Sequence, residues 1–187
     1  MFKSFKTKLF VIFISITLSL SAITIFFLYN IGIKGQLEAL KKNVVSIAVT
    51  TSLLIDPEIH KKFNPDQLVV SEQLNNLNLV LHNIAESNPD ITYIYTLVET
   101  KDPTKCKFVL ASEDYGKKIL DPEDVTYDVT DKPELRSKAA FLEPVATKKL
   151  YRDKWGEFLT GYAPLKDVSG KTVAVVGVDM SAKKVEE

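Results

Sequence analysis

The feature that most constrains this chain is an uncharged apolar run near its start. The run extends from Leu9 to Tyr29 and reads LFVIFISITLSLSAITIFFLY. A helix of about 20 such residues spans the roughly 30 Å hydrocarbon core of a bilayer. Three lysines precede the run, and its last residue is an aromatic of the kind enriched at membrane interfaces. We therefore expect a transmembrane helix over residues 9–29 after a cytoplasmic N-terminus of residues 1–8.

A cleaved signal peptide is the alternative interpretation of this run. Ser19 to Ala22 offers a loose small-residue cleavage site, but apolar residues continue beyond it through Leu28. Signal peptides usually have a shorter apolar segment, which favours an anchor while the alternative stays open. Lysines on both sides leave only a slight charge bias. The simpler topology places the protein in the cell (inner) membrane, with its main domain periplasmic or extracellular.

Composition excludes several classes of protein. The 24 basic and 24 acidic side chains cancel, which argues against a nucleic-acid partner. A single cysteine forms no disulfide within the chain, and the two histidines have no metal-site spacing. The acidic stretch after Ser112 lacks the spacing of a calcium loop, and no glycine-rich phosphate loop occurs. We expect no metal, no cofactor and no enzyme.

Helical periodicity follows the apolar run. Apolar residues recur at three- and four-residue steps from Ile31 to about Phe63. No proline separates this segment from the run, so one continuous helix is expected. Asp56, followed by a proline, predicts the N-cap of a new short helix. Asp66 to Ser87 predicts a second amphipathic helix.

The second half of the chain changes to the two-residue period of strands. Strands are predicted over Ile91–Glu99, Lys107–Ala111, Gly156–Leu165 and Thr172–Met180. A short helix is expected within Lys132 to Phe141. Helices followed by an antiparallel sheet predict an α+β fold, in which a long helix packs on a central antiparallel sheet.

Strand alternation divides the predicted sheet into two faces. One face is aliphatic or small. The other face collects polar and aromatic side chains, namely Tyr93, Tyr95, Thr160, Tyr162 and Asp179. Roofed by the loops between Ser112 and Lys154, the second face predicts a small-molecule pocket. A solvated sheet face with amphipathic tyrosines is the alternative.

Four short motifs in the same order resemble extracellular Cache domains, also called PDC domains. Asp153-Lys154-Trp155-Gly156 with the segment LTGYAPL resembles the family's D-x-W-G and S-G-Y-A-P-I segments. The closing strand VVGVDM resembles V-V-G-V-D-I, and the segments LIDP and ITYIYTL resemble earlier landmarks. The resemblance covers residues 31–180 and implies a PAS-like fold outside the membrane, followed by a juxtamembrane tail, residues 181–187.

The resemblance also implies a function. Cache domains bind small ligands such as amino acids, amines or carboxylates and signal through flanking helices to an output domain of chemoreceptor, histidine kinase or nucleotide cyclase type. A homodimer through the N-terminal helix is expected. The alternatives are an anchored ectodomain that binds another protein without a small ligand and, less favoured, an anchored hydrolase.

Candidate ligand residues follow from the family position and from the predicted pocket. Asp179 matches the family aspartate that holds a ligand ammonium group, with a structural carboxylate as its alternative role. Tyr95 and Tyr162 are expected as pocket walls, and Trp155 as a stacking residue or a packing anchor. Arg136 and Arg152, the only arginines, lie in the roof region and would suit a ligand carboxylate.

Overall fold

A computed structural model describes residues 4–66, 69–121 and 125–186. The chain forms two compact units, which meet in sequence at Ala39 and Leu40. The described helices are α1 (Phe5–Leu54), α2 (Pro57–His60), α3 (Glu72–Glu86), α4 (Pro133–Arg136), α5 (Ala139–Leu142) and α6 (Ala182–Glu186). The strands are β1 (Ile91–Glu99), β2 (Lys105–Ala111), β3 (Thr126–Asp128), β4 (Val145–Ala146), β5 (Tyr151–Asp153), β6 (Gly156–Lys166) and β7 (Thr172–Ser181).

Helix α1 has no break, which confirms the predicted continuity past Tyr29. Its apolar stretch is long enough to cross a membrane, and large side chains there, such as Phe13 and Phe26, are exposed. The helical pattern expected to about Phe63 forms two helices, because α1 ends at Leu54 and α2 follows over Pro57–His60. The predicted cap is confirmed, because Asp56 Oδ1 accepts hydrogen bonds from the first turn of α2.

Helix α3 starts later than its apolar pattern predicts. Ser71 is the N-cap and accepts a hydrogen bond from Leu74 N at 3.2 Å. The predicted start at Asp66 is wrong, because Val69 pairs instead with Ile119 as an isolated antiparallel bridge. Residues 67 and 68 lie outside the described part of the chain. The start of α3 is therefore set by the Ser71 hydroxyl, which accepts a hydrogen bond from an amide of the first helical turn.

The strands form one antiparallel sheet in the order β3–β2–β1–β7–β6–β4, and β5 also pairs with β6. This arrangement confirms the predicted α+β class. Strands β1, β2, β6 and β7 agree with the predicted ones to within two residues. Strands β3, β4 and β5 were not predicted, because each has only two or three residues. The predicted short helix within Lys132 to Phe141 is two four-residue helices, α4 and α5.

One face of the sheet packs against the C-terminal part of α1. Gly161 on β6 is the closest approach, because a Cβ there would lie 2.4 Å from the carbonyl carbon of Val44. Val176 and Val178 on β7 are completely buried. The aliphatic face predicted from strand alternation is therefore confirmed as the helix-packing face. On the opposite face, residues of β3, α4 and α5 pack against Tyr95 and Tyr162.

Candidate functional site

The opposite face of the sheet carries a buried carboxylate at its centre. Asp179 on β7 is 4% exposed. Tyr95 on β1 and Tyr151 on β5 each donate a hydrogen bond to its Oδ1 at 3.2 Å. Thr160 on β6 donates to the same oxygen, and the hydroxyls of Thr160 and Tyr151 lie 2.9 Å apart. Among the described residues, Asp179 Oδ2 carries no hydrogen bond, so this oxygen is the one that a ligand can use.

The glycine at position 177 of β7 allows Tyr95 to reach Asp179. Tyr95 pairs with Gly177 across β1 and β7, and Asp179 is two residues further along. A Cβ on Gly177 would lie 2.3 Å from the Tyr95 ring. The ring therefore occupies the space above the glycine, and its hydroxyl extends along the strand to the carboxylate.

Burial without a cation governs the electrostatics of Asp179. Desolvation raises the pKa of Asp179 to about 7, the hydrogen bond from Thr160 opposes the rise, and the negative charge of Asp153 adds to it. Burial and the charge of Asp179 raise the pKa values of Tyr95, Tyr151 and Tyr162 well above their ordinary range. These tyrosines therefore remain neutral. Among the described residues Asp179 has no positive partner, although a buried carboxylate is usually paired.

We call the space beside Asp179 the inner cleft. Three carboxylates line it, namely Glu113, Asp153 and Asp179. Its other lining side chains are all aromatic, namely Tyr93, Tyr95, Phe108, Tyr127 and Trp155. The cleft has a volume of about 20 Å³, which holds little more than one water molecule. Acidic groups set in aromatic walls favour a cation, but the cleft must widen to admit one.

A larger space, the outer hollow, adjoins the inner cleft. Its volume is about 530 Å³, within the range of small-molecule sites, and it lies between residues 126–132 and 152–155. Tyr127, Asp153 and Trp155 line both spaces and form the partition between them. The partition is held by a hydrogen bond of 3.0 Å that Tyr127 donates to Asp153, and by the packing of Tyr127 against Trp155. Displacement of the partition would join the two spaces.

A buried lysine borders the outer hollow. Lys132 is 3% exposed, and its Nζ lies 3.8 Å from the centre of the Tyr151 ring and 3.3 Å from Asp131 Oδ1. The hydroxyl of the same Tyr151 donates to Asp179. One tyrosine therefore separates a buried cation from a buried carboxylate, an arrangement that matches the two charges of a zwitterion.

The structure brings three of the predicted ligand residues to one region. Tyr95 and Asp179 line the inner cleft, and Trp155 lies in the partition against Phe108 and Tyr127. Tyr162 lies on the same sheet face but belongs to the hydrophobic core, fully buried, and its hydroxyl has no hydrogen-bond partner among the described residues. Their roles in binding remain predictions.

The two arginines predicted as roof residues both lie outside the inner cleft. Arg136, on α4, borders a separate hollow beside Glu99 and Lys138. Arg152 points to the rim of the outer hollow, where it is exposed and pairs with Glu157 at 2.8 Å. Neither arginine is among the described residues that line the inner cleft. The buried roof cation is Lys132, because the turn after β3 directs it inward while the outward side of β5 carries Arg152.

Sequence reasoning missed Lys132, Tyr127, Tyr151 and Asp153. The last two are two residues apart and therefore share one face of β5, which is the only signal that identifies them in advance. Three-residue strands leave too little alternation to establish that signal. Tyr127 lies in the stretch that was interpreted as a polar loop, and Lys132 had no distinguishing neighbour except Pro133.

Comparison with known proteins gave structural similarities only. No protein-family model and no curated protein matches the sequence. The extracellular domain of mmHK1S-Z3, described as a histidine kinase, is 16% identical with a TM-score of 0.46, and the match covers 84% of this chain and 60% of that one. The ligand-binding domain of Campylobacter jejuni chemoreceptor Tlp3, in complex with L-valine, is 18% identical with a TM-score of 0.43 over 82% and 64% of the two chains. The periplasmic sensory domain of C. jejuni chemoreceptor Tlp1 is 14% identical with a TM-score of 0.35 over 82% and 56%. This chain therefore spans less than two thirds of each.

Proposed function

We propose that this chain is the sensory, ligand-binding part of a membrane-anchored receptor, and that its ligand is a small molecule with an ammonium group. The observation that carries the proposal is Asp179, a buried carboxylate beside an aromatic cleft, for which the described part of the chain provides no positive partner. The Cache-like motifs of the sequence and the apolar stretch of α1 support the same function.

The ammonium group would bind between Asp179 and Asp153. Binding there supplies the missing cation to Asp179 Oδ2, and the tyrosine hydroxyls already hold the other oxygen in place. Asp153 would exchange its hydrogen bond from Tyr127 for one from the ligand. Displacement of the partition would then open the cleft into the outer hollow.

A ligand carboxylate would bind Lys132. The ammonium of this lysine is buried at the edge of the outer hollow, where it lies 3.3 Å from Asp131 and over the Tyr151 ring. An α-amino acid carries both charges on one small skeleton, so its ammonium and carboxylate groups would lie on either side of Tyr151. The ligand class that suits the two charges best is therefore a free amino acid.

Membrane anchoring through residues 9–29, the placement of residues 31–180 outside the cell and dimerisation along α1 belong to the same proposal. The unbroken helix from Phe5 to Leu54 supports a mechanical connection from the membrane to the sheet. Ligand binding shifts such an element only if the ligand binds its two arrangements unequally.

Thermal unfolding of the full chain in lipid nanodiscs tests the proposal. The additives are free amino acids, simple amines and simple carboxylates at millimolar concentration. At least one amine-bearing compound should raise the unfolding temperature by several degrees, because ligands that bind only the native state stabilise it. Asp179→Asn should abolish that shift, whereas Asp102→Asn, in the exposed turn between β1 and β2, should retain it. An equal shift in Asp179→Asn, or stabilisation by carboxylates alone, would overturn the assignment.

A further inference from the structure

The outer hollow is larger than a free amino acid requires. A space of about 530 Å³ is of the size that encloses a drug-sized molecule. In the proposed site, an amino acid would place its ammonium group in the inner cleft and its carboxylate beside Lys132, and most of the hollow would remain unfilled. A ligand that continues beyond the carboxylate carbon would fill it.

Strand β3 presents an open edge beside this hollow. Among the described strands it pairs with β2 only, with Asp128 opposite Lys105. The next pair along is hydrogen-bonded, because Val129 N donates to Thr104 O at 2.8 Å. Bonded and non-bonded pairs alternate along antiparallel strands. Asp128, which lines the hollow, therefore directs its backbone N–H and C=O away from β2.

Strand β5 presents a second open edge. Among the described strands it pairs with β6 only, and its last residue, Asp153, lies opposite Gly156. Thr147 N donates to Thr160 O at 2.8 Å on the same side of β6, so every second residue from Thr160, including Gly156, faces this side. The pair of Asp153 and Gly156 is therefore bonded, and Arg152, which also lines the hollow, directs its N–H and C=O outward.

The two open edges belong to strands that approach each other across the cleft face. Tyr127 of β3 donates a hydrogen bond of 3.0 Å to Asp153 of β5 through their side chains. The backbones of β3 and β5 do not pair with each other, so they lie further apart than the roughly 4.8 Å of neighbouring strands. Outward N–H and C=O groups on an open strand edge are the groups that bind an extended peptide. A ligand without amide groups would leave them unused.

We propose that the site also accepts short peptides with a free amino terminus and binds them more tightly than free amino acids. The inference rests on the proposed ammonium site. The terminal ammonium group binds Asp179 and Asp153, and the first carbonyl oxygen takes the position proposed for a free carboxylate beside Lys132. The second and third residues extend through the outer hollow, where their amide groups pair with the backbone of Asp128 and Arg152.

Fluorescence of Trp155 provides the readout for this inference. Trp155 is the only tryptophan of the chain and lies in the partition, so its emission reports events in both spaces. The full chain in lipid nanodiscs is titrated with L-alanine and with trialanine, whose small side chains suit the narrow cleft. Trialanine should bind at least about tenfold more tightly, the size expected for two added backbone hydrogen bonds. N-acetyl-trialanine, which lacks the ammonium group, should not bind.

Proline at an outward-facing position of an edge strand removes a donor without breaking a bond of the sheet. Trialanine should bind Arg152→Pro about fivefold more weakly than Arg152→Ala, which also lacks the side chain but keeps the N–H. Ala146→Pro makes the matched change on β4, where Ala146 alternates with the inward-bonded Thr147 and is not among the described residues that line the hollow. Ala146→Pro should bind trialanine like the unaltered protein. Equal binding by Arg152→Pro and Arg152→Ala would overturn the inference.

An ester analogue of trialanine tests the same contacts without changing the protein. The analogue keeps the terminal ammonium and carboxylate groups, but an oxygen atom replaces each of its two amide N–H groups. It should bind about as weakly as L-alanine, because it cannot donate to the strand edges. Binding as tight as that of trialanine would overturn the inference, even if Arg152→Pro did not fold.

The same titrations separate this inference from the proposal beneath it. Binding of L-alanine that is lost in Asp179→Asn, without preference for trialanine, would refute peptide binding and leave the ammonium site intact. Binding of trialanine that survives Asp179→Asn, or equal binding of N-acetyl-trialanine, would refute the ammonium site. Absence of binding by L-alanine and trialanine would refute the peptide inference, and the thermal-unfolding panel then decides on the site itself.

Discussion

The two faces of the central sheet are built by different rules. The face against α1 is aliphatic and closely packed, because the backbone of α1 lies directly against Gly161. The opposite face contains a carboxylate, hydroxyls and aromatic rings around a narrow cleft. Both faces have a glycine at a critical point, but Gly161 accommodates backbone and Gly177 accommodates the ring of Tyr95. The helix face therefore stabilises the fold, whereas the cleft face contains a buried carboxylate whose desolvation costs stability.

The largest effect is expected from Gly161→Val. The new side chain would overlap the backbone of Val44, which belongs to a helix and cannot move independently. Overpacking of this kind costs about 3 kcal/mol or more, so the folded domain should be lost. Circular dichroism and thermal unfolding measure the outcome. Gly35→Val, at a helix glycine with nothing within 4 Å, should stay folded, and a stable Gly161→Val would contradict the described contact.

The next effect is the pH dependence of stability that Asp179 causes. Its pKa is about 7 in the folded state and lies near the ordinary 3.8 when unfolded. The folded state therefore binds the extra proton between these values, and stability contributed by this group falls as pH rises from 4 to 7. The difference is on the order of 4 kcal/mol.

Asp179→Asn should therefore reduce the fall in stability between pH 4 and pH 7. Its free energy of unfolding, from denaturant titrations, should exceed that of the unaltered protein at pH 8 and approach it at pH 4. A lower stability than the unaltered protein at pH 8 would show that Asp179 serves the fold instead of the site.

Gly177→Ala tests the cleft face with a smaller change. The added methyl group would displace the Tyr95 ring, and the hydrogen bond to Asp179 would be lost. We expect about 2 kcal/mol of destabilisation, less than for the helix face because a side chain moves more easily than a helix. The ligand-induced rise in unfolding temperature should fall by more than half. A full ligand response would mean that Tyr95 does not hold the carboxylate for binding.

The smallest effect is expected from Tyr127→Phe, which removes the hydrogen bond to Asp153 without removing the ring. Loss of this bond should cost about 1 kcal/mol and loosen the partition. Stopped-flow measurement of Trp155 fluorescence should then show faster ligand association. Tyr115→Phe, whose ring stacks on His82 away from the cleft, should leave the rate unchanged. Slower association in Tyr127→Phe would exclude the partition as a barrier.

The difference between the two faces also explains what the sequence could predict. Strand alternation over β1, β6 and β7 assigned both faces, including the positions of Tyr95 and Asp179, because long strands repeat the signal. It could not place Tyr151 and Asp153, since β5 has three residues. Lys132 could not be identified as a buried cation, because its inward direction depends on the conformation of the turn after β3, which no periodicity describes. The start of α3 was likewise mispredicted, because the cap at Ser71 is not visible in the apolar periodicity.

Proton release during ligand binding tests the central claim most directly. If an ammonium group binds Asp179, the carboxyl must ionise, because its pKa of about 7 in the free protein falls when a cation arrives. Calorimetric titration of the full chain with its strongest-binding amine, at pH 6.5 in buffers of different ionisation enthalpy, counts the protons. A carboxyl with a pKa of about 7 is roughly three-quarters protonated at pH 6.5, so our account predicts release of about 0.75 proton in the unaltered protein and of none in Asp179→Asn. Ligand binding without proton release, or equal release in the two proteins, would contradict it.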